Sequence, residues 1–253
     1  MTHDYILPLA DLSEYGYDVF FYDQLGCGRS ELPRNIALFT VERAVEEVEG
    51  FRRTMSLGRI HLMGSSYGGL LAMAYALKYQ RYLKSLTTIG GYADVPLTLK
   101  EMERMKSQLP RSVLRVMKNY EERGEYENPR YLKAVLAFYR RHFCRLQQWP
   151  EELNHSLEYI SKPVYNTMNG PNEFTIIGNT RYWDITAKLE KIEVPTLVTS
   201  GRYDEVSPKV ARSIHNGIKD SKLVIFQKSS HLPMWEERER YIKVVTDFLG
   251  STK

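Results

Sequence analysis

The chain has 253 residues, 43% of them hydrophobic and 26% charged, with a formal net charge of +4. That balance suits a globular protein of one domain, or of one domain carrying an insertion, and excludes disordered and collagen-like chains. No apolar run approaches the roughly 18 residues of a membrane span and no basic-then-apolar leader opens the chain, so the expected location is cytoplasmic.

In chain order, residues 17–22 (Tyr-Asp-Val-Phe-Phe-Tyr) read as a strand. The loop behind it, Asp23-Gln24-Leu25-Gly26-Cys27-Gly28-Arg29-Ser30, superficially suggests a dinucleotide turn, but the third glycine is absent. Residues 41–57 have helical spacing, and 59–63 read as a strand.

Straight after that strand comes Gly64-Ser65-Ser66-Tyr67-Gly68-Gly69, which fits the Gly-x-Ser-x-Gly nucleophile elbow. Such an elbow holds its serine in a strained backbone at a strand-to-helix turn. Side chains two residues to either side would collide, and glycines remove the collision. The pentapeptide alone is weak evidence, yet residues 70–77 continue it as a helix apolar nearly all round, as expected against a parallel sheet.

The next strand is 83–89, ending at Gly90-Gly91. From 92 to 189 the pattern becomes polar, Tyr- and Arg-rich helical segments broken at Pro110, Pro129, Pro150 and Pro171. Further elements are a strand at 194–200, a helix at 208–219, a strand at 222–227 and a helix at 236–249. Strand alternating with helix predicts an α/β protein with a doubly wound, mostly parallel sheet. The expected division is a first core part at 1–91, an inserted helical cap at 92–189 and a second core part at 190–253. The cap follows a strand end, where ligands of parallel sheets bind.

A serine hydroxyl needs a base, and the base an orienting carboxylate. Asp204 follows the 194–200 strand, and His231 follows the 222–227 strand. The order Ser66, Asp204, His231 is that of α/β-hydrolases. The other histidines are less well placed: His61 falls in a strand, His142 and His155 in the cap, His215 in a helix and His3 near the amino terminus. In the expected roles Ser66 attacks a carbonyl, His231 carries the proton, Asp204 fixes the imidazole and the Tyr67 amide donates to the oxyanion. This chemistry requires no metal or organic cofactor. Cys27 and Cys144 provide neither a disulfide framework nor a metal site. Basic residues interleave with acids, as in Glu236-Glu237-Arg238-Glu239-Arg240, which argues against a nucleic-acid surface.

With these residues in hand, the chain resembles the proline iminopeptidases, especially their tricorn-associated branch. The likeness rests on residues 21–30, the elbow, Met168-Asn169-Gly170-Pro171-Asn172-Glu173-Phe174, Tyr203-Asp204-Glu205 and Ser230-His231-Leu232-Pro233-Met234-Trp235-Glu236. It implies an α/β-hydrolase that releases amino-terminal proline, or other apolar residues, from short peptides through an acyl-enzyme. It also implies that Glu173 and Glu205 bind the substrate's amino group, with Tyr165 adding a contact. For the tricorn-associated branch it implies a larger protease as partner. Without the resemblance those glutamates read as solvated surface acids.

The family's His-Gly-Gly-Pro-Gly loop, source of another oxyanion donor, has no counterpart here, and residues 1–5 resemble the segment that follows it. The expectation is therefore that this loop and about three early strands are missing and that activity is impaired. Two alternatives stay open: an esterase-like hydrolase indifferent to a free amino group, and a catalytically impaired binding partner.

Overall fold

The computed structural model describes residues 1–252. Its sheet has four parallel strands in the order β1 (Ile60–Ser65), β2 (Leu83–Ile89), β3 (Thr196–Gly201) and β4 (Ser221–Phe226). The register sets Ser65 opposite Ile89, Ile89 opposite Thr199, and Gly201 opposite Phe226. The carboxyl ends of the strands therefore lie side by side, and the loops leaving them share one rim.

Helices cover both faces. On one face α1 (Val41–Thr54), α2 (Tyr67–Tyr79) and α8 (Pro208–Gly217) bury Val45, Val48, Leu71, Met73 and Ile214 with Leu83, Leu86 and Val198. On the other, a 3-10 helix (His3–Tyr15) and the terminal α10 (Arg238–Gly250) bury Leu9, Leu12, Val245 and Phe248 with Ile89, Leu197 and Phe226. The amphipathic face of α1 explains its burial, and Thr40 caps its start by accepting from the Arg43 amide at 3.1 Å. A bidentate ion pair of Arg52 with Glu49 lies under this helix, where Glu49 also accepts from the Tyr75 hydroxyl at 2.8 Å.

Between β2 and β3 the chain forms α3 (Val95–Lys106), α4 (Arg111–Glu121), α5 (Pro129–His142), α6 (Glu151–Glu158) and α7 (Lys162–Met168). Met102, Met105, Met117, Tyr131, Val135 and Phe138 from these helices share a buried cluster with Leu70 of α2 and Val210 of α8. No strand interrupts them. Among the described residues, no helix is long and apolar enough to cross a membrane.

The structure corrects several element boundaries. Residues 17–22 alternate as a strand would: Phe20 meets Phe51 of α1 edge-on and Tyr22 stacks on it, while Val19 and Phe21 join the opposite cluster. Their backbone nevertheless joins no ladder. A cavity of about 630 Å³, lined by this stretch and by β1, separates it from the sheet edge. The helix expected to reach residue 57 stops at Thr54, because Ser56 takes φ 53° and the Leu57 amide turns back onto the Arg52 carbonyl at 2.9 Å. The terminal helix expected at 236–249 is α10, and a separate short helix, α9 (Pro233–Glu236), precedes it, the two parted at Glu237 with φ −134° and ψ 49°. The Glu237 carboxylate instead takes hydrogen bonds from the Lys228 amide and the Ser229 hydroxyl.

Candidate active site

Ser66 stands between β1 and α2 with φ 56° and ψ −121°, a conformation that L-residues rarely occupy. Its surroundings hold it there. The Ser66 amide donates to the Ile89 carbonyl at 2.8 Å, and a Cβ on Gly64 would lie 1.9 Å from the Gly68 carbonyl oxygen. Gly69 packs directly on Gly91, where its Cβ would meet the Gly91 Cα at 2.7 Å. The elbow thus needs Gly64 and Gly69 for backbone approach, whereas a Cβ on Gly68 would meet nothing within 4 Å, so the collision expected on both sides of the serine occurs on one.

The Tyr67 amide, the first of α2, makes no hydrogen bond within the described residues. It lies at the positive end of the helix, suited to an oxyanion.

Asp204 and His231 come from the loops after β3 and β4, and both are buried. Asp204 Oδ1 accepts from His231 Nδ1 at 2.7 Å and from the Val206 amide at 2.8 Å, and its Oδ2 from the Ser200 hydroxyl at 3.3 Å. This fixes the imidazole with Nε2 turned away from the carboxylate. Burial alone would disfavour the imidazolium. The Asp204 carboxylate with its hydrogen bond, then Glu205 and Glu173, outweigh that and push His231 up to about 9.

The structure joins Asp204 to His231 directly and brings Ser66 to them through β2, whose Ile89 holds the Ser66 amide and whose Gly90 touches His231. Among the described residues no hydrogen bond links Ser66 and His231; His231 Nε2 has Glu205 Oε1 at 4.0 Å.

Glu205 is 1% exposed, and its Oε2 has no hydrogen-bond partner. Burial pushes its carboxyl well up, the His231 charge opposes this, and Glu173 and Asp204 push it further. Glu173, in the loop after α7, accepts from the Tyr165 hydroxyl at 2.6 Å. Burial, and then the Glu173 charge, raise the Tyr165 phenol far above its ordinary value, so it stays a neutral donor. Tyr92 and Tyr139 are buried beside the same two carboxylates and are raised likewise by burial first.

Among the described residues neither Glu173 nor Glu205 pairs with a lysine or arginine. Two carboxylates beside tyrosines, one with an unsatisfied oxygen, are chemically suited to a cationic group. Ser66, Tyr92, Tyr165 and Glu173 are among the residues that line the 630 Å³ cavity. No group of three or more His, Cys, Asp or Glu side chains among the described residues is placed to hold a metal ion. Cys27 and Cys144 are both free and buried.

Sequence reasoning missed the supports. Gly90, with φ 53°, is shaped around the His231–Asp204 pair, although its Gly-Gly signal was visible at a strand end. The Tyr5 hydroxyl donates to the Ser65 carbonyl at 3.2 Å, and the Trp235 indole donates to the Tyr5 carbonyl at 2.7 Å. The end of α5 also braces the acid loop: His142 Nδ1 lies 2.8 Å from the Tyr203 carbonyl, and the Glu205 amide donates to the His142 carbonyl at 3.0 Å. Only long-range packing reveals these contacts.

The sequence model of the α/β hydrolase fold family matches residues 3–238. The chain is 50% identical over 250 residues to the proline iminopeptidase of Saccharolobus solfataricus, covering 98% of this chain and 81% of that protein. Among solved structures, VinJ superposes with a TM-score of 0.97 at 34% identity, covering 100% of this chain and 87% of that one. The proline iminopeptidase of Mycobacterium smegmatis superposes with a TM-score of 0.92 at 31% identity, covering 99% and 86%. These matches concern the residues present and do not bear out the expectation of lost amino-terminal strands.

Proposed function

Since the chain belongs to the proline iminopeptidase family, within the α/β hydrolase fold, we propose that it is a serine aminopeptidase that releases amino-terminal proline from short peptides in the cytoplasm. The observation that carries this reading is the pair of buried Glu205 and half-buried Glu173, with Glu205 Oε2 unpartnered and, among the described residues, no cationic side chain to answer it. A protonated proline nitrogen is a secondary ammonium with two N–H donors. Two convergent carboxylates match that count, neutralise its charge and fix its distance from the first peptide bond. A peptide without a free amino end would leave buried Glu205 and half-buried Glu173 without a cation.

In the reaction Ser66 Oγ attacks the carbonyl carbon of the first residue while His231 Nε2 takes the hydroxyl proton. Asp204 holds the tautomer and stabilises the imidazolium. The tetrahedral oxyanion receives the Tyr67 amide. As the C–N bond breaks, His231 returns its proton to the leaving amine, and the prolyl group stays on Ser66 as an ester. Water then attacks that ester with His231 again as base, freeing proline and Ser66. The helices α3 to α7 act as the cap: α7 carries Tyr165, the loop after it carries Glu173, and together they limit access to the amino end of a chain.

The test is turnover of prolyl aminomethylcoumarin by the protein and by Ser66→Ala, alongside fluorophosphonate labelling read by mass. Label on Ser66 and loss of turnover by at least about 10⁴-fold in Ser66→Ala are expected. Turnover retained in Ser66→Ala at equal folding would remove the serine mechanism.

A further inference from the structure

The glutamate that closes α9 has contacts that no catalytic role assigned above requires. Glu236 Oε2 accepts from the Ser230 amide at 2.7 Å, and Oε1 accepts from the Arg145 amide at 2.8 Å. The Ser230 hydroxyl lies 2.9 Å from Oε1 and 3.0 Å from Oε2. Ser230 directly precedes His231. Arg145 lies three residues past α5, on the segment by which the chain leaves that helix. One carboxylate therefore joins the loop of the base to the exit of a cap helix.

The surroundings make this junction specific. The other side of the Ser230 peptide is pressed on Gly201, where a Cβ would lie 2.0 Å from the Ser230 carbonyl oxygen. The same exit segment carries Phe143, whose ring lies 5.8 Å from the His231 ring, and Arg145, whose guanidinium lies 3.9 Å over the Tyr203 ring. The residue before Glu236 is Trp235, which reaches the elbow through Tyr5 and Ser65. Two main-chain N–H groups from distant parts of the chain converge on the Glu236 carboxylate. An amide or an alkyl side chain could not accept both while keeping the Ser230 hydroxyl.

We propose that Glu236 is a positioning residue that fastens the His231 loop to the exit of the cap helix α5, and so sets where His231 Nε2 stands relative to Ser66. The proposal rests on the reading of Ser66 and His231 as nucleophile and base. Glu236 itself touches no reacting atom. Loosening it should slow both attacks that use His231 while leaving the amine site of Glu173 and Glu205 intact.

The experiment measures kcat and KM for prolyl aminomethylcoumarin per fluorophosphonate-titratable site, the rate of that labelling, and the thermal midpoint, in wild type, Glu236→Ala and Glu236→Gln. In Glu236→Ala, kcat per site and labelling rate should both fall by roughly 10- to 100-fold, while KM stays within about threefold. Glu236→Gln can keep one amide on its carbonyl oxygen but turns an NH₂ group toward the other donor, so its loss should be smaller, of about three- to tenfold. A merely structural role would reduce the fraction of titratable sites and leave kcat per site alone. Overturning results are a kcat per site within about twofold of wild type in both variants, or a loss confined to KM. Should Glu236→Ala not fold, Glu236→Gln decides by the same criteria. Wild-type protein without Ser66-dependent labelling would overturn the underlying reading and the proposal with it.

Discussion

Gly90 leaves the space in which His231 stands: a Cβ at this position would lie 2.6 Å from His231 Nδ1 and 2.8 Å from Asp204 Oδ2. Its φ of 53° is the second reason for glycine here. The end of β2 is therefore part of the catalytic geometry, although none of its side chains reacts.

Gly90→Ala should lower kcat by about tenfold or more and the thermal midpoint by about several degrees, through strain and displacement of the His231–Asp204 pair. Gly124 has φ 67° with nothing within 4 Å of a built Cβ, so Gly124→Ala carries similar backbone strain without touching the site. Steady-state kinetics and melting curves separate the two: the Gly124 variant should lose stability and keep kcat. Equal kcat in wild type and Gly90→Ala would contradict the steric account.

Glu173→Gln and Glu205→Gln should each raise KM for free-amino prolyl substrates by roughly 10- to 100-fold, the range of a lost hydrogen bond to a charged group. Fluorophosphonate labelling of Ser66 uses no ammonium and should stay near the wild-type rate in Glu173→Gln. An unchanged KM in both variants would remove the pair from the amine site.

The pH dependence follows from His231, which serves as base only when neutral. With His231 pushed up to about 9 in the free protein, kcat/KM should rise with pH along an acid limb that extends toward that value. Glu205 contributes to the upward push, so removing its charge in Glu205→Gln should move the limb to lower pH. A bound ammonium opposes the imidazolium in the same way, and the limb in kcat should lie below that in kcat/KM. Profiles of the two parameters in wild type and Glu205→Gln check both signs, and an upward move in the variant would contradict the assignment.

Tyr165→Phe removes the hydroxyl that holds Glu173 Oε1 at 2.6 Å while keeping the ring. KM should rise by about three- to tenfold with a smaller change in kcat, since the carboxylate loses an orienting donor without losing its charge. Kinetics with free-amino prolyl substrate measure this, and a purely kcat effect would place Tyr165 elsewhere in the mechanism.

The fold, the strained turn at Ser66 and the Asp204–His231 pair were legible because local chemistry reports them. The elbow has a backbone requirement that glycines satisfy, and β2 was bounded correctly at Leu83 and Ile89 by its apolar and β-branched run. Residues 17–22 misled for a physical reason: alternation records which faces are buried, as the packing of Phe20 and Tyr22 on Phe51 shows, but not whether the backbone finds a partner. The role proposed for Glu173 and Glu205 comes from family resemblance alone, because a carboxylate's surroundings depend on chain segments far away in sequence. Tyr5, Gly90 and Glu236 support the site through partners such as Ser65, His231 and Arg145, tens of positions or more distant, and beyond the Gly-Gly pair at the end of β2 no local pattern marks those contacts.

The most direct test of the central claim compares kcat/KM for prolyl aminomethylcoumarin with that for its N-acetyl derivative, using protein whose Ser66-dependent activity has been established. The acetyl group removes the ammonium and leaves the scissile bond intact, so the account predicts a preference for the free-amino substrate of at least about 100-fold, reduced in Glu173→Gln and Glu205→Gln. Equal turnover of the two substrates would contradict it and leave a serine hydrolase with no amine requirement.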